Sequence, residues 1–163
     1  MKKVSAPSVH TIEAYMTPSP RLVTPDVSLA EAKRLMHEAG ARHLPVVRQG
    51  QLAGILSERD ILVLDSIAVV DAKRVAVEAA MQTDVYGVPA DTPLDEVAAA
   101  MAAHGYGSAV IWNGATVVGI FTTVDAMRAL AAFVRDDRGR AEFAGRAPDP
   151  EPVVQAEVDS RLK

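Results

Sequence analysis

The sequence contains no cysteine and few aromatic residues. Among its 163 residues, Cys is absent and Phe, Trp and Tyr together make up 4%. Without cysteine there is no disulfide framework, no thiolate metal site and no cysteine nucleophile, and the composition is typical of a reducing compartment. We therefore expect a cytoplasmic protein. Because aromatic residues are scarce, Ala, Val, Leu and Met must fill the core, and a chain of this length can bury about two thirds of its surface.

An excess of positive charge and long apolar runs are also missing. The formal net charge is −4 and the isoelectric point is about 5.5. Proteins held on nucleic acid by phosphate neutralisation carry a basic face, so we expect no nucleic-acid partner. No apolar run approaches the roughly 18–20 residues of a membrane span, and the basic N-terminal segment lacks the apolar stretch of a signal peptide. We expect no membrane partner.

The chain consists of two copies of one pattern. Residues 12–60 align without a gap on residues 77–125, at an offset of 65. The alignment gives twelve identical pairs, including Met16 with Met81 and Gly54 with Gly119. Only one of the twelve is an alanine pair, so Ala-rich helices do not explain the match. The sequence is therefore an internal repeat.

Each copy predicts the same order of elements, β-α-β-β-α. Ser28 with Glu31 marks a helix start, while Gly40 and Gly105 mark helix ends. A unit this small cannot cover its own sheet. We therefore predict an α/β fold in which two repeats pack with pseudo-twofold symmetry. The predicted helices span 12–16, 28–39, 58–68, 77–81, 93–104 and 123–134, and the strands span 44–47, 51–56, 109–112 and 116–121, with extended pieces near Val23 and Val88.

The pattern divides the chain into three segments. The first repeat spans 9–70, the second spans 71–134, and the tail spans 135–163. The tail combines three prolines with mixed charges and few sizeable apolar residues. We expect it to be flexible or docked on a partner, with a short helix over 153–162.

Two matching motifs carry the candidate chemistry, Ser57-x-x-Asp60 and Thr122-x-x-Asp125. Either one is explained by helix capping, in which the hydroxyl and the acid satisfy free amides of the following helix. Both acids are Asp, although Glu reaches back better for capping. A short carboxylate in a cleft suits the 2′ and 3′ hydroxyls of a ribose, and a hydroxyl at a helix N-terminus suits a phosphate. One residue pair can serve both purposes.

The repeat resembles a tandem CBS-domain pair, named after cystathionine β-synthase. The resemblance covers about 9–134 and rests on Tyr15-Met16-Thr17, on Arg42-His43-Leu44-Pro45-Val46-Val47, and on the two segments that begin at Gly54 and Gly119. It implies two clefts between the repeats that bind adenosine derivatives, commonly AMP, ADP or ATP. It also implies homodimers, often flat discs of four repeats, that act as sensors and not as enzymes.

The resemblance also implies which residues line each cleft, with the motif of one repeat facing the other repeat. The first cleft would hold Thr11, Val23, Thr24, Ala41, Arg42, His43, Ile120, Thr122 and Asp125. The second would hold Ile55, Ser57, Asp60, Ala76, Val88, Tyr106, Gly107 and Ser108. Arg42 and His43 would give the first cleft a cationic wall that favours phosphates and, through His43, binds more tightly as pH falls from about 8 to 6. Tyr106 would give the second an aromatic face for adenine.

The remaining candidate chemistries lack their residues. His10, His37, His43 and His104 show no metal-ligand spacing, so we expect no metal site and no obligatory cofactor; a cation such as Mg²⁺ would arrive with a nucleotide phosphate. No Rossmann or P-loop motif and no nucleophile elbow is present. We weigh three hypotheses: a regulatory nucleotide-binding module acting on an unknown effector protein, a dimeric scaffold with vestigial clefts, and a small enzyme. The first is favoured, with a homodimer formed through the second helices of the repeats. The apolar side chains expected on this surface are Ile61, Leu62, Leu64, Ile67 and Ala68 in the first repeat and Met127, Leu130, Ala131 and Val134 in the second.

Overall fold

The computed structural model describes residues 10–66 and 71–136 of the chain. It confirms the α/β fold. The short first strand lies at Thr17–Pro18 in the first repeat and at Gly87–Pro89 in the second, which are not equivalent positions, and the extended piece predicted near Val23 forms only an isolated bridge with Val46. Residues 137–163, which hold most of the predicted tail, lie outside the described residues. The first repeat comprises a 3-10 turn (Ile12–Ala14), β1 (Thr17–Pro18), α1 (Leu29–Ala39), β2 (His43–Arg48), β3 (Gln51–Ser57) and α2 (Glu58–Asp65). The second comprises a 3-10 turn (Val77–Ala79), β4 (Gly87–Pro89), α3 (Leu94–His104), β5 (Ser108–Asn113), β6 (Thr116–Thr122) and α4 (Thr123–Asp136).

The helix ends follow the predicted chemistry with one difference. The Ser28 hydroxyl caps α1 and accepts from the Glu31 amide at 3.2 Å. Gly40 and Gly105 end α1 and α3 in the left-handed conformation, at φ 58° and 70°. Helix α3 begins at Leu94, one residue later than predicted. The Leu94 amide donates to the His10 carbonyl oxygen at 2.7 Å, so the entry segment of the first repeat stands in for a side-chain cap.

The sheet of each repeat is completed by the entry segment of the other repeat. In the four-stranded sheet the order is β1-β6-β5-β4, so Thr17 and Pro18 of the first repeat pair antiparallel with β6 of the second. The β2–β3 hairpin receives Gln82 of the second repeat, which bridges Ile55 through backbone hydrogen bonds of 2.9 and 2.8 Å. The exchange joins the two repeats through backbone pairing as well as side-chain packing.

The repeated Met and Gly residues make this exchange possible. A side-chain Cβ at Gly54 would lie 2.8 Å from both the Met81 sulfur and the Gln82 carbonyl oxygen. The Met16 side chain occupies the corresponding place at Gly119. Each glycine therefore leaves the space into which the methionine of the other repeat packs. This contact is the physical reason for the 65-residue pairing of Met and Gly in the sequence.

Each repeat has its own apolar cluster. Leu56 and Ile61 are fully buried in the first cluster, with α1 and the β2–β3 hairpin around them. Phe121 is fully buried in the second, between α3, α4 and the four-stranded sheet. In the described part of the chain, no helix combines the length and the apolar composition that crossing a membrane requires.

Candidate functional site

A cavity of about 690 Å³ opens between the two repeats. It brings together six of the eight residues predicted for the second cleft, including Asp60 and Tyr106. Its wall is mixed in character, with apolar, acidic and basic side chains. The lining residues include Arg42, His43, Ile55, Ser57, Arg59, Asp60, Gln82, Tyr86, Tyr106, Gly107 and Ser108.

Asp60 caps α2 with one carboxylate oxygen. Its Oδ2 atom accepts from the Ser57 amide at 2.8 Å and from the Ser57 hydroxyl at 2.6 Å, while that hydroxyl accepts from the Asp60 amide at 3.2 Å. These bonds form a reciprocal capping box. The Oδ1 atom accepts a long hydrogen bond from the Gln82 side-chain amide, at 3.3 Å. Helix capping and ligand binding by Asp60 are therefore compatible, because the cap uses Oδ2 and a ligand would bond to Oδ1.

Arg42 and His43 lie along the Asp60 cavity, which corrects the predicted cationic wall beside Asp125. His43 is paired in register with Ser57 across the β2–β3 hairpin, and the Glu58 amide donates to the Arg42 carbonyl oxygen at 2.8 Å. Hairpin register therefore places the start of β2 beside the motif of its own repeat. Arg59 also lines this cavity. The cationic side chains of the cavity are therefore concentrated near Asp60.

The His43 imidazole is half-buried against the start of β5. Its Nε2 atom would lie 3.7 Å from a Cβ at Gly107. Burial lowers the pKa of His43, because the charged imidazolium loses hydration there. The Asp60 carboxylate opposes this shift, whereas Arg42 adds to the lowering of the pKa. The imidazole is therefore mostly neutral near pH 7.

Aromatic rings form one side of the cavity. The Tyr106 ring stacks on Tyr86 at a centroid distance of 4.9 Å and an interplanar angle of 16°. It also stacks on His104, at 5.3 Å and 26°. Tyr106 is 36% exposed. An adenine would extend this stack at an exposed edge or displace one of its members.

The Thr122–Asp125 motif caps α4 in the same way, but the partners of its second carboxylate oxygen, Oδ1, are different. Asp125 Oδ2 accepts from the Thr122 amide at 2.8 Å and from its hydroxyl at 2.7 Å. Asp125 Oδ1 accepts from the Thr17 hydroxyl at 3.3 Å and from the Arg128 guanidinium at 3.1 Å. Asp125 is only 5% exposed.

The other residues predicted for the clefts lie away from the Asp60 cavity. Val23, Val88 and Ile120 are buried in the sheets and their cores. Thr11 bridges Pro93, and Ala76 bridges Ser28. The last two predicted residues line other cavities, Thr24 beside Arg48 and Glu78, and Ala41 beside Lys33 and His37.

The sequence analysis missed the stretch from Gln82 to Tyr86. Four of its residues line the Asp60 cavity: Gln82, Asp84, Val85 and Tyr86. This segment follows the second entry turn and has no hydrophobic period, so pattern analysis assigns it no element. A tyrosine between a polar turn and a strand is the one indication that could have pointed to it. Among residues 10–66 and 71–136, no three His, Asp or Glu side chains meet closely enough to hold a metal ion.

The CBS domain family model matches the chain twice, over residues 12–67 and 75–132. The matches cover more than half of the chain, and the chain belongs to the CBS domain family as a tandem pair. No enzymatic family is indicated.

Three relatives illustrate the similarity. A 17.7 kDa protein of Acidianus ambivalens is 33% identical over 111 residues, which cover 67% of this chain and 66% of the relative, just under two thirds of its length. A crystal structure of a conserved protein from Pyrococcus horikoshii is 30% identical, with a TM-score of 0.69 over 85% of this chain and 100% of that one. The structure of CBSX2 in complex with AMP is 25% identical, with a TM-score of 0.67 over 77% and 99% of the two chains.

Proposed function

We propose that this CBS pair is a regulatory module that binds an adenosine-containing ligand, of the AMP, ADP or ATP class, in the Asp60 cavity. The proposal rests on one observation, that the two carboxylate oxygens of Asp60 have different hydrogen-bond partners. One oxygen is fully used by the cap of α2, while the other has a single long hydrogen bond from Gln82 and belongs to a residue that lines the cavity. A ribose diol offers two donors to such an oxygen. The AMP complex of CBSX2 supports the ligand class.

The rest of the cavity offers groups for the remaining parts of a nucleotide. Tyr106 and Ile55 provide apolar surface for adenine. Arg42 and Arg59 provide guanidinium groups that bond phosphate oxygens in pairs. A divalent cation would enter with the phosphates. Catalysis is not part of the proposal, and ligand binding would act through a change of shape on an effector protein.

The test is a thermal-shift panel of AMP, ADP, ATP, NAD and S-adenosylmethionine. A ligand at 100 times its Kd adds about 2.7 kcal/mol to the free energy of unfolding. For a chain of this size, that corresponds to a rise in Tm of a few degrees. If no ligand raises Tm, the motifs serve capping alone, and the alternative of a dimeric scaffold with vestigial clefts replaces the proposal. Chromatographic detection of ligand turnover would instead indicate an enzyme.

AMP affinity is expected to keep increasing as pH falls below 6.5. A phosphate beside His43 raises the pKa of the imidazole in the complex, so protonation favours binding. Because burial lowers the pKa of His43 in the free protein, the increase in affinity ends at a pH below the ordinary imidazole pKa. Calorimetric titration across pH measures this effect. The same slope in His43→Gln would contradict it.

We propose that the chain forms a homodimer through α2 and α4. Both helices expose apolar side chains, among them Leu62, Met127 and Leu130, at 53%, 61% and 54%. Ile61, expected on this surface, is fully buried in the first core instead. Ile67 and Ala68, also expected there, lie outside the described residues.

Leu130→Glu is expected to convert the dimer into a monomer at micromolar concentration. Burying a leucine side chain contributes about 1.5–3 kcal/mol, and a carboxylate in the same place adds a desolvation cost. Light scattering after size exclusion measures the mass. Leu22→Glu serves as the matched control, since Leu22 is 40% exposed and lies outside both helices. A wild-type monomer, or a dimer in Leu130→Glu, would remove this interface.

A further inference from the structure

The two Ser/Thr–Asp motifs differ in what holds the carboxylate oxygen that the cap leaves free. At Asp60 that oxygen has one protein donor in the described part of the chain, the neutral Gln82 amide at 3.3 Å. At Asp125 it has two, the Thr17 hydroxyl at 3.3 Å and the Arg128 guanidinium at 3.1 Å. Thr17 and Gln82 occupy equivalent positions in the repeat. The guanidinium is the group that the first motif lacks.

The difference arises from one position in the repeat. Arg128 follows Asp125 by three residues, which places the two side chains on the same face of α4. The equivalent residue in α2 is Val63, which cannot pair with Asp60 and is 59% exposed. The repeat therefore contains its own comparison, because the Asp of the same motif is hydrogen-bonded to a guanidinium in the second repeat and to a neutral amide in the first.

The pairing changes how available the two carboxylates are. Asp60 is partly exposed and lines the cavity, whereas Asp125 is 5% exposed. A guanidinium–carboxylate hydrogen bond is charge-assisted and roughly twice as strong as a neutral one. A ribose hydroxyl at Asp60 has to compete with a long amide contact. At Asp125 it would have to displace an ion pair whose acidic partner is already out of water.

We propose that Arg128 determines ligand stoichiometry: it holds Asp125 in an internal ion pair, so that each chain binds one adenosine nucleotide, at Asp60. This inference rests on the proposed function of the Asp60 cavity. It gives the two motifs different roles. The Ser57–Asp60 motif caps α2 and binds the ligand, whereas the Thr122–Asp125 motif caps α4 and forms the ion pair with Arg128. It also identifies the residue that makes the division.

The test exchanges the two equivalent residues and counts AMP per chain by calorimetric titration. Wild type is expected to bind one AMP per chain. Arg128→Val gives the second motif the residue found in the first, and is expected to raise the count to two. Val63→Arg places a guanidinium beside Asp60, and is expected to weaken AMP binding at least tenfold. Arg135→Val, which removes the same charge from the same helix, is the matched control and should bind like wild type.

The AMP count in each variant distinguishes failure of this inference from failure of the proposed function. Two AMP molecules per wild-type chain, or one per Arg128→Val chain, would overturn the inference and leave the proposed function standing. Weaker binding in Arg128→Val would assign Arg128 to the ligand and overturn it as well. If neither AMP, ADP nor ATP binds to wild type or to any variant, the proposed function is overturned, and the inference with it. Arg128→Gln, which removes the charge and retains a shorter polar side chain, should also bind two AMP molecules, and it repeats the test if Arg128→Val melts at a lower temperature.

Discussion

Asp60→Asn is expected to abolish adenosine-nucleotide binding and to leave the chain folded. A ribose diol would lose two charge-assisted hydrogen bonds, each worth about 1.5–3 kcal/mol, and the affinity would fall by about a hundredfold or more. The fold survives because an amide oxygen can still accept from the Ser57 amide. Even complete loss of the cap costs about 0.5–2 kcal/mol.

The matched control is Asp65→Asn, and both variants are compared with wild type by calorimetric titration and thermal unfolding. Asp65 lies in the same helix and carries the same charge, but it pairs with Lys33 at 2.8 Å and does not line the cavity. It should bind the nucleotide like wild type. Unchanged affinity in Asp60→Asn, or an equal loss in both variants, would show that Asp60 serves the cap alone.

The repeat made most of the fold predictable from sequence. A helix start at Ser28, helix ends at Gly40 and Gly105 and the alternation in the strands are local patterns, and each occurs twice. Duplication separates a meaningful pattern from a coincidence, because a chance match has no reason to recur at the same offset. The predicted boundaries consequently lie within two residues of the observed strands and helices, except at α2, which ends three residues earlier than predicted, and at β1, which was not predicted.

The composition of the cavity was less predictable, because it depends on hairpin register and on an irregular segment. Arg42 precedes β2 and His43 begins it, and their position beside Asp60 follows from the pairing of His43 with Ser57. Nothing in the local pattern gives that register. The stretch from Gln82 to Tyr86 contributes through the exchange of entry segments, which depends on contacts between residues far apart in sequence. Asp125 and Arg128 have an i, i+3 spacing in the sequence, but the spacing does not show that the Asp125 carboxylate of the pair is buried while the Arg128 side chain stays exposed.

The exchange of entry segments is also expected to make the two repeats unfold as one thermodynamic unit. Gln82 lies in the second repeat and hydrogen-bonds to β3 of the first. Conversely, Thr17 and Pro18 lie in the first repeat and pair with β6 of the second. Unfolding either repeat removes a strand neighbour and a packed methionine from the other. The cavity lies at this junction, so a ligand there contacts both repeats and would strengthen their coupling. If the cavity binds a nucleotide as proposed, binding would therefore change both repeats together.

Leu56→Ala and Phe121→Ala are therefore each expected to destabilise both repeats together. The two positions are equivalent in the repeat, and both side chains are fully buried. Removing them leaves cavities that cost about 2–5 kcal/mol for Leu56 and about 3–5 kcal/mol for Phe121. Unfolding in denaturant is followed by far-UV circular dichroism and by the fluorescence of Trp112, the single tryptophan, which lies in β5 of the second repeat.

The informative variant is Leu56→Ala, because the changed residue and the fluorescent reporter lie in different repeats. If the exchanged segments couple the repeats, the Trp112 transition moves to lower denaturant by the same amount as the circular dichroism transition. Leu22→Ala, at a position 40% exposed, is the control and should change the free energy of unfolding by no more than about 0.5 kcal/mol. A Trp112 transition that stays at its wild-type midpoint in Leu56→Ala would mean that the second repeat folds on its own, and that the exchanged strands add too little free energy to join the two.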